Sequence, residues 1–446
     1  MKILLIINDI TNIGGAECVT ANLANVFSDI YGGGDCVEIL SIGHIDKTTP
    51  YTLNPHIKLH FIQPYSPKQL SKFSQQIKKF WRKAQVIFYK LKLLITTRHT
   101  YKTREILWLM TDEPLNHKLN SYLDTLDCDV VLDSTWHSYY PLSKKPHTTY
   151  MKLLHTSYYG NGIRVDRKYF EKIKGFDRLI VLSDKDYPLW HNHHKNVRVI
   201  PNFLPQIPSL STTYSQKAVL SVGRLSKEKG FFRLLDIWQI VQDRIKDFNM
   251  NCESTHSVIA NEVKQSTLLQ NGLPRFGTAE SHNDDNLTQW KLIIVGDGVL
   301  KKEIESKIKA LNLQDSIILK PFTKQIEKEY LNASIYAMSS HWEGFPMVLI
   351  EASSYALPCI AFDIATGPSD IIENEKSGFL VTDNDLQGYA DKLMLLMRDE
   401  NLRFNFGTKA KQVVSERFSK NAVMKEWEKL FGELKNANLV SLVKNS

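Results

Sequence analysis

Two series of short β-branched runs, each opening with an apolar strand that leads into a glycine loop, constrain this chain more than any other feature. The first series reads as strands at Lys2–Asn8, Val37–Ile42, Ile57–Phe61, Asp129–Ser134, Thr149–Leu154 and Arg178–Ser183. The second reads as Ala218–Gly223, Lys291–Gly296, Ser316–Lys320, Ile335–Ser339, Pro358–Phe362 and Gly378–Val381. Helical patterns lie between these runs, and strands that alternate with helices build parallel sheets. At 446 residues the chain is too long for one ordinary core and long enough for two. The expectation is an α/β protein with one Rossmann-like domain over residues 1–200 and another over 218–398. Pro201–Lys217, with three prolines and many Ser and Thr, reads as the linker.

One stretch breaks the rhythm. Of the 39 residues in Asn251–Gln289, 18 are Ser, Thr, Asn, Gln or Gly, with no sustained period of 3.6 or 2. It follows a helical pattern at Gly230–Asp247 and precedes the strand at Lys291, a join that ordinarily takes a few residues. Residues 251–289 therefore read as a disordered insertion. Residues 399–446 read as closing helices. Within them Ser415–Lys435 places Val423, Trp427, Leu430 and Phe431 at helical spacing, the mark of an amphipathic helix with a face to bury.

Composition excludes several classes. No apolar run approaches the length of a membrane span, and the apolar run after Met1 is too short for a signal peptide, so the expected location is the cytoplasm. The five cysteines are scattered and never form a C-x-x-C pair, which argues against a zinc ribbon or a disulfide framework. The net charge of +8 is local: eleven Lys and Arg, and no Asp or Glu, lie between Lys68 and Arg104. That concentration does not suggest a nucleic-acid partner.

Val222-Gly223-Arg224-Leu225-Ser226-Lys227-Glu228-Lys229-Gly230 carries the first chemistry. A strand ends in glycine, and Arg224 and Lys229 follow at the mouth of a helix, where α/β sheets bind ligands. Two cations beside a helix start suit a diphosphate. The second piece is Glu343-Gly344-Phe345-Pro346-Met347-Val348-Leu349-Ile350-Glu351. Pro346 suits the first turn of a helix, and the N–H groups of Met347 and Val348 behind it would be free for phosphate oxygens. Glu351 on the helix could accept ribose hydroxyls, and Glu343 in the loop could reach a sugar ring. Singly, each of these groups reads as well as a solvated charge; their pairing around two loop-to-helix junctions favours a site.

These motifs, in this order, resemble family 4 of the retaining glycosyltransferases, whose GT-B fold sets two Rossmann-like domains facing across a cleft. Further matches are Gly14-Gly15-Ala16 after the first strand, His155 after Lys152-Leu153-Leu154, Pro201-Asn202, and Val295-Gly296-Asp297-Gly298. The resemblance covers nearly the whole chain and is weak over 68–110 and 251–289. It implies that Gly14 and Gly15 bring backbone to the donor's leaving phosphate, and that Arg224 and Lys229 neutralise the diphosphate. Glu351 would then bind the ribose. Glu343, with the backbone of Gly344 and Phe345, would hold the transferred sugar, and His155 would sit by the anomeric carbon. It also implies a last helix that crosses back to the first domain, front-side attack with retention, and no metal. There would be no cofactor beyond the UDP-sugar donor itself. Asp127-Cys128-Asp129 imitates a metal motif but leads into a buried strand. Thr366-Gly367-Pro368-Ser369 resembles bacterial transferases that use UDP-hexoses or UDP-N-acetylhexosamines to build lipopolysaccharide or other surface polysaccharide.

The basic segment 68–110 interleaves Phe73, Phe80, Trp81 and Phe88 with its cations, the composition of an interfacial helix. An ordinary solvated helix face has much the same composition, but the lack of any carboxylate between Lys68 and Arg104 favours an anionic membrane surface. Lys78, Lys79, Arg82 and Lys83 would face it, peripheral on the inner leaflet, near a glycan or lipid-linked acceptor. Two competing readings share the fold. One is a nucleotide-sugar epimerase, which would not need the Glu343/Glu351 pair. The other is an inactive binding subunit, which would not need every donor position filled.

Overall fold

The protein is described by a computed structural model that covers residues 1–32, 36–44, 48–63, 87–88, 117–135, 144–158, 167–266 and 287–444. Apart from Ile87 and Phe88, the basic segment 68–110 lies outside the described residues, and with it Lys78, Lys79, Arg82 and Lys83.

The first sheet has seven parallel strands in the order β3-β2-β1-β4-β5-β6-β7. They are β1 Ile3–Ile7, β2 Val37–His44, β3 Lys58–Gln63, β4 Val130–Asp133, β5 Thr149–Leu153, β6 Arg178–Val181 and β7 Val197–Val199. The second sheet has six parallel strands in the order β10-β9-β8-β11-β12-β13. These are β8 Ala218–Val222, β9 Lys291–Val295, β10 Ile317–Lys320, β11 Ile335–Met338, β12 Cys359–Asp363 and β13 Gly378–Thr382. In both sheets the order reverses beside the first strand of its series, and there the carboxyl ends open a crevice. Central strands covered on both faces should be apolar throughout. Accordingly β1 and β11 are buried at every position.

The carboxyl edges of the two sheets meet. Gly344, beyond β11, lies so close to the backbone after β5 that a Cβ on it would stand 2.0 Å from the His155 carbonyl oxygen. Beyond β6, the Ser183 hydroxyl donates to Asp370 at 2.7 Å, and Lys185 pairs with Asp363 at 2.9 Å. Pro201–Lys217 is packed rather than slack. Phe203 and Leu204 are buried, the Tyr214 hydroxyl donates to the Ala356 carbonyl at 2.6 Å, and Leu204 bridges to Ser419.

The last helix, Lys420–Lys444, lays Trp427 and Phe431 edge-on against Phe27 of the helix Gly15–Tyr31, with ring centroids 5.4 Å apart in each pair. Burying a large apolar side chain contributes about 1.5–3 kcal/mol, so this aromatic contact ties the end of the chain to its beginning. Arg198 adds an ion pair to Glu433 at 3.0 Å.

One expectation is corrected. The helix that begins at Phe231 runs to Ser266, well into the stretch read as an insertion starting at 251. Polar composition hid it: once nucleated, a helix extends at little cost per residue without an apolar face to mark it. Residues 267–286 lie outside the described residues, and the chain re-enters the core at Leu287 and Trp290. His194 is buried and its Nε2 lies 3.0 Å from the Phe176 carbonyl, while His193 stacks on Phe170.

Candidate active site

Beyond β8 the chain makes a tight turn, Lys227–Lys229, and enters the helix Phe231–Ser266 through Gly230. Gly230 has φ of +64°, and a Cβ there would sit 1.9 Å from the Ser339 carbonyl oxygen, so only glycine fits. This close approach brings Lys229 to the loop after β11. Its Nζ donates to Glu343 Oε1 at 2.6 Å, and the Ser340 hydroxyl donates to the same oxygen at 2.5 Å. Glu343 is anchored from behind, where its carbonyl accepts the Thr366 hydroxyl at 2.9 Å. Arg224 is exposed and makes no ion pair among the described residues.

The loop that carries Glu343 is held by Arg233, a residue with no signal in the sequence. Buried beneath the turn, Arg233 donates to the carbonyls of Ser339 and Ser340 and to Asp383, and its guanidinium lies 4.0 Å from the centre of the Phe362 ring. A buried Arg with its donors satisfied fixes a loop, because breaking any contact leaves a charge uncompensated.

Pro346 caps the helix Met347–Ser354 rather than occupying its first turn. The residue keeps the extended backbone of a cap position, and the N–H groups of Met347 and Val348 have no intrahelical acceptor. The Phe345 ring is buried edge-on against Phe418, which leaves only its backbone for a ligand. One helical turn further on, Glu351 Oε2 accepts the Tyr330 hydroxyl at 2.8 Å. Burial raises the Glu351 pKa, with the Tyr330 hydrogen bond acting against the rise. Burial, then the Glu351 charge, raises the Cys18 thiol, so the carboxylate lies within electrostatic reach of the helix Gly15–Tyr31.

That helix starts opposite. Gly14 is its cap, and its N–H donates to the Tyr51 hydroxyl at 3.0 Å, which fixes the loop. A Cβ on Gly15 would meet nothing within 4 Å, and the residue is exposed. His155 follows β5, and its Nε2 is buried without a hydrogen-bond partner. Burial, then the charge of Lys152, lowers its pKa to about 3, so the imidazole is neutral across the ordinary pH range. Lys152 itself is fully buried against Asp133 at 3.1 Å. Asp129, of the Asp-Cys-Asp run, accepts the Lys2 N–H at 2.7 Å, a structural task. Among the described residues no three His, Cys, Asp or Glu are grouped to hold a metal ion, and no helix is long and apolar enough to cross a membrane.

Gly344 meets the backbone of His155 where the two sheet edges join, Lys229 holds Glu343 beside it, and Arg224 and Glu351 lie within electrostatic reach of Glu17 and Cys18 on the first-domain helix. An orphan imidazole, free N–H groups at a helix start, two cations and two carboxylates can bind a polyhydroxylated ligand that carries a diphosphate.

The family described as Glycosyl transferases group 1 matches residues 271–413. The chain is 33% identical over 260 residues to the amylovoran biosynthesis glycosyltransferase AmsD of Erwinia amylovora, covering 56% of this chain and 61% of that protein. It is 34% identical over 163 residues to a Campylobacter jejuni alpha-1,4-N-acetyl-D-galactosaminyltransferase named for a PP-undecaprenol acceptor, covering 36% and 45% of the two chains. The chain thus spans about three fifths or less of the length of these relatives. In fold it is similar to Staphylococcus aureus TarM solved with fondaparinux, alpha-GlcNAc-glycerol and UDP, at a TM-score of 0.66 and 17% identity over 97% of this chain and 100% of that one. The two parallel sheets are therefore those of a GT-B fold, and the chain carries a domain of the Glycosyl transferases group 1 family.

Proposed function

We propose that the chain is a retaining glycosyltransferase that moves a hexose or N-acetylhexosamine from a UDP-sugar to a glycan acceptor in surface-polysaccharide synthesis. The observation that carries this reading is the single sheet edge that holds Arg224, Lys229, Glu343 and the start of the Met347–Ser354 helix opposite Gly15 and His155. Arg224 and Lys229 compensate the diphosphate as charge builds on it, joined by the N–H of Gly15 and those of Met347 and Val348. Donors and cations fixed in advance around a leaving group supply most of the transition-state stabilisation in reactions of this kind. Glu351 accepts from the ribose hydroxyls. Glu343 and the backbone of Gly344 and Phe345 hold the sugar, and the neutral imidazole of His155 bonds a sugar hydroxyl.

The acceptor oxygen attacks the anomeric carbon from the face the phosphate leaves. A C–O bond forms as the C–O phosphate bond breaks, and the acceptor's proton passes to the departing phosphate, so UDP is released. Arg224 and Lys229 supply the charge that a metal would otherwise bring. The Erwinia and Campylobacter relatives support a polysaccharide or polyprenol-linked acceptor, and the basic segment 68–110 would hold the cleft at the anionic inner leaflet. Free UDP, measured on mixing the protein with a panel of UDP-sugars and polyprenol-linked glycans, tests the reading. Release that requires both substrates supports it. An absence of release across the panel, despite donor binding, would favour a binding subunit instead.

A further inference from the structure

The carboxylate of Glu17 lies at the start of the Gly15–Tyr31 helix, in the third helical position. An ideal Cβ built on Gly14 would sit 2.3 Å from Glu17 Oε2, so the carboxylate rests directly against the Gly14 Cα. It accepts the Glu17 N–H, and the residue is only 9% exposed. Across the cleft the opposite charge that acts on it is Arg224, which favours the ionised form; Asp9, on the loop after β1, disfavours it. Cys18 and Tyr51 are the other titratable groups that feel it, and both thiol and phenol are raised by burial, so they stay neutral. Desolvation is the largest influence on Glu17 and raises its pKa. A buried acid is thus held at a helix start, within electrostatic reach of an exposed arginine that makes no ion pair among the described residues.

We propose that Glu17 is an internal occupant of this anion position. It holds the place of the donor's leaving phosphate while the cleft is empty, and only a ligand that engages Arg224, Lys229 and the ribose position at Glu351 together displaces or neutralises it. The inference rests on the reading of the cleft as a nucleotide-sugar site and deepens it. The carboxylate is a specificity device that rejects inorganic phosphate, pyrophosphate and nucleoside monophosphates, which offer too few contacts to overcome the repulsion. Glycine at position 14 then has a reason apart from close approach to the donor, because any side chain there would push the carboxylate away. The plain alternative is a helix-capping acid, since glutamate in a first turn stabilises the helix by interaction with its free N–H groups. The two roles differ in sign: loss of a cap lowers stability and leaves anion affinity alone, whereas loss of an occupant raises anion affinity.

The test is calorimetric titration of UDP, UMP and pyrophosphate into the wild type, Glu17→Gln and Gly14→Ala, with melting temperatures measured alongside. Gly14 has an extended backbone, φ −164°, which alanine adopts, so that variant moves the carboxylate without removing it. The expected result is UDP bound about tenfold more tightly by Glu17→Gln, the scale of one removed like charge. Discrimination against UMP and pyrophosphate should shrink in both variants. Wild-type UDP affinity should fall as pH rises through the Glu17 titration, and the difference between wild type and Glu17→Gln, which cancels the titration of UDP itself, should grow with pH. Equal or weaker UDP binding by a Glu17→Gln variant of near-wild-type melting temperature would overturn the proposal alone. No UDP binding by the wild type at any pH would overturn the donor reading, and the proposal with it.

Discussion

Lys229 Nζ lies 2.6 Å from Glu343 Oε1, so two side chains that the sequence assigns to different parts of a ligand, diphosphate and sugar, hold each other. The pair is mostly shielded, with side chains 24% and 10% exposed. Removing one partner therefore strands the other. Lys229→Ala should lower kcat/KM roughly a hundredfold, and the double variant with Glu343→Gln should fall little further, because the two act as a unit. Steady-state kinetics of the four proteins check this; losses that multiply would show the residues to be independent.

Tyr330 prepares Glu351. Its hydroxyl occupies one carboxylate oxygen at 2.8 Å, and its ring stacks on Tyr355, which fixes the direction in which the carboxylate points. Tyr330→Phe leaves a buried carboxylate short of a donor, a loss of about 1.5–3 kcal/mol for a hydrogen bond to a charged group. The expected outcome is a donor KM raised about tenfold or more, with kcat nearly unchanged. A fall in kcat at constant KM would place Glu351 away from the nucleotide.

Asp186 governs a pH dependence of stability. It is buried, accepts the Tyr158 N–H at 3.0 Å, and its pKa is raised to about 6 by desolvation and by the nearby Asp370 charge. An acid with a raised folded pKa binds its proton more tightly in the native state, so its contribution falls as pH climbs from about 4 to 6. Below that window Asp186→Asn should melt close to wild type, and above it the variant should melt higher, by several degrees. Melting curves from pH 4 to 8 check the sign, and a variant less stable at pH 8 would contradict it.

The fold was legible because parallel sheets buried on both faces leave near-continuous apolar runs. The six strand runs of each series lie where β1–β6 and β8–β13 stand. β7 escaped because Val197-Arg198-Val199 is three residues long and, among the described residues, pairs with β6 alone. The helix Phe231–Ser266 was read short because its second half carries no apolar stripe in the sequence. Within the site, Arg224, Lys229, Glu343 and Glu351 stood out because loop-to-helix junctions put charge where backbone is exposed. Their supports did not. Arg233 and Tyr330 act on the site only through packing between separate elements, and a lone Arg or Tyr in a helix has no pattern that separates it from surface. The basic segment was legible as composition, and Lys78, Lys79, Arg82 and Lys83 lie outside the described residues.

The most direct measurement is the rate of UDP release from a UDP-sugar and a polyprenol-linked glycan, compared between the wild type and Arg224→Ala. Arg224 is exposed and makes no ion pair among the described residues, so its loss should leave the melting temperature within about one or two degrees of wild type. A retaining transferase of this design should show acceptor-dependent UDP release in the wild type and a loss of about a hundredfold in the variant, with the anomeric configuration of the donor kept in the product. Undiminished release by Arg224→Ala, or an inverted product, would contradict it.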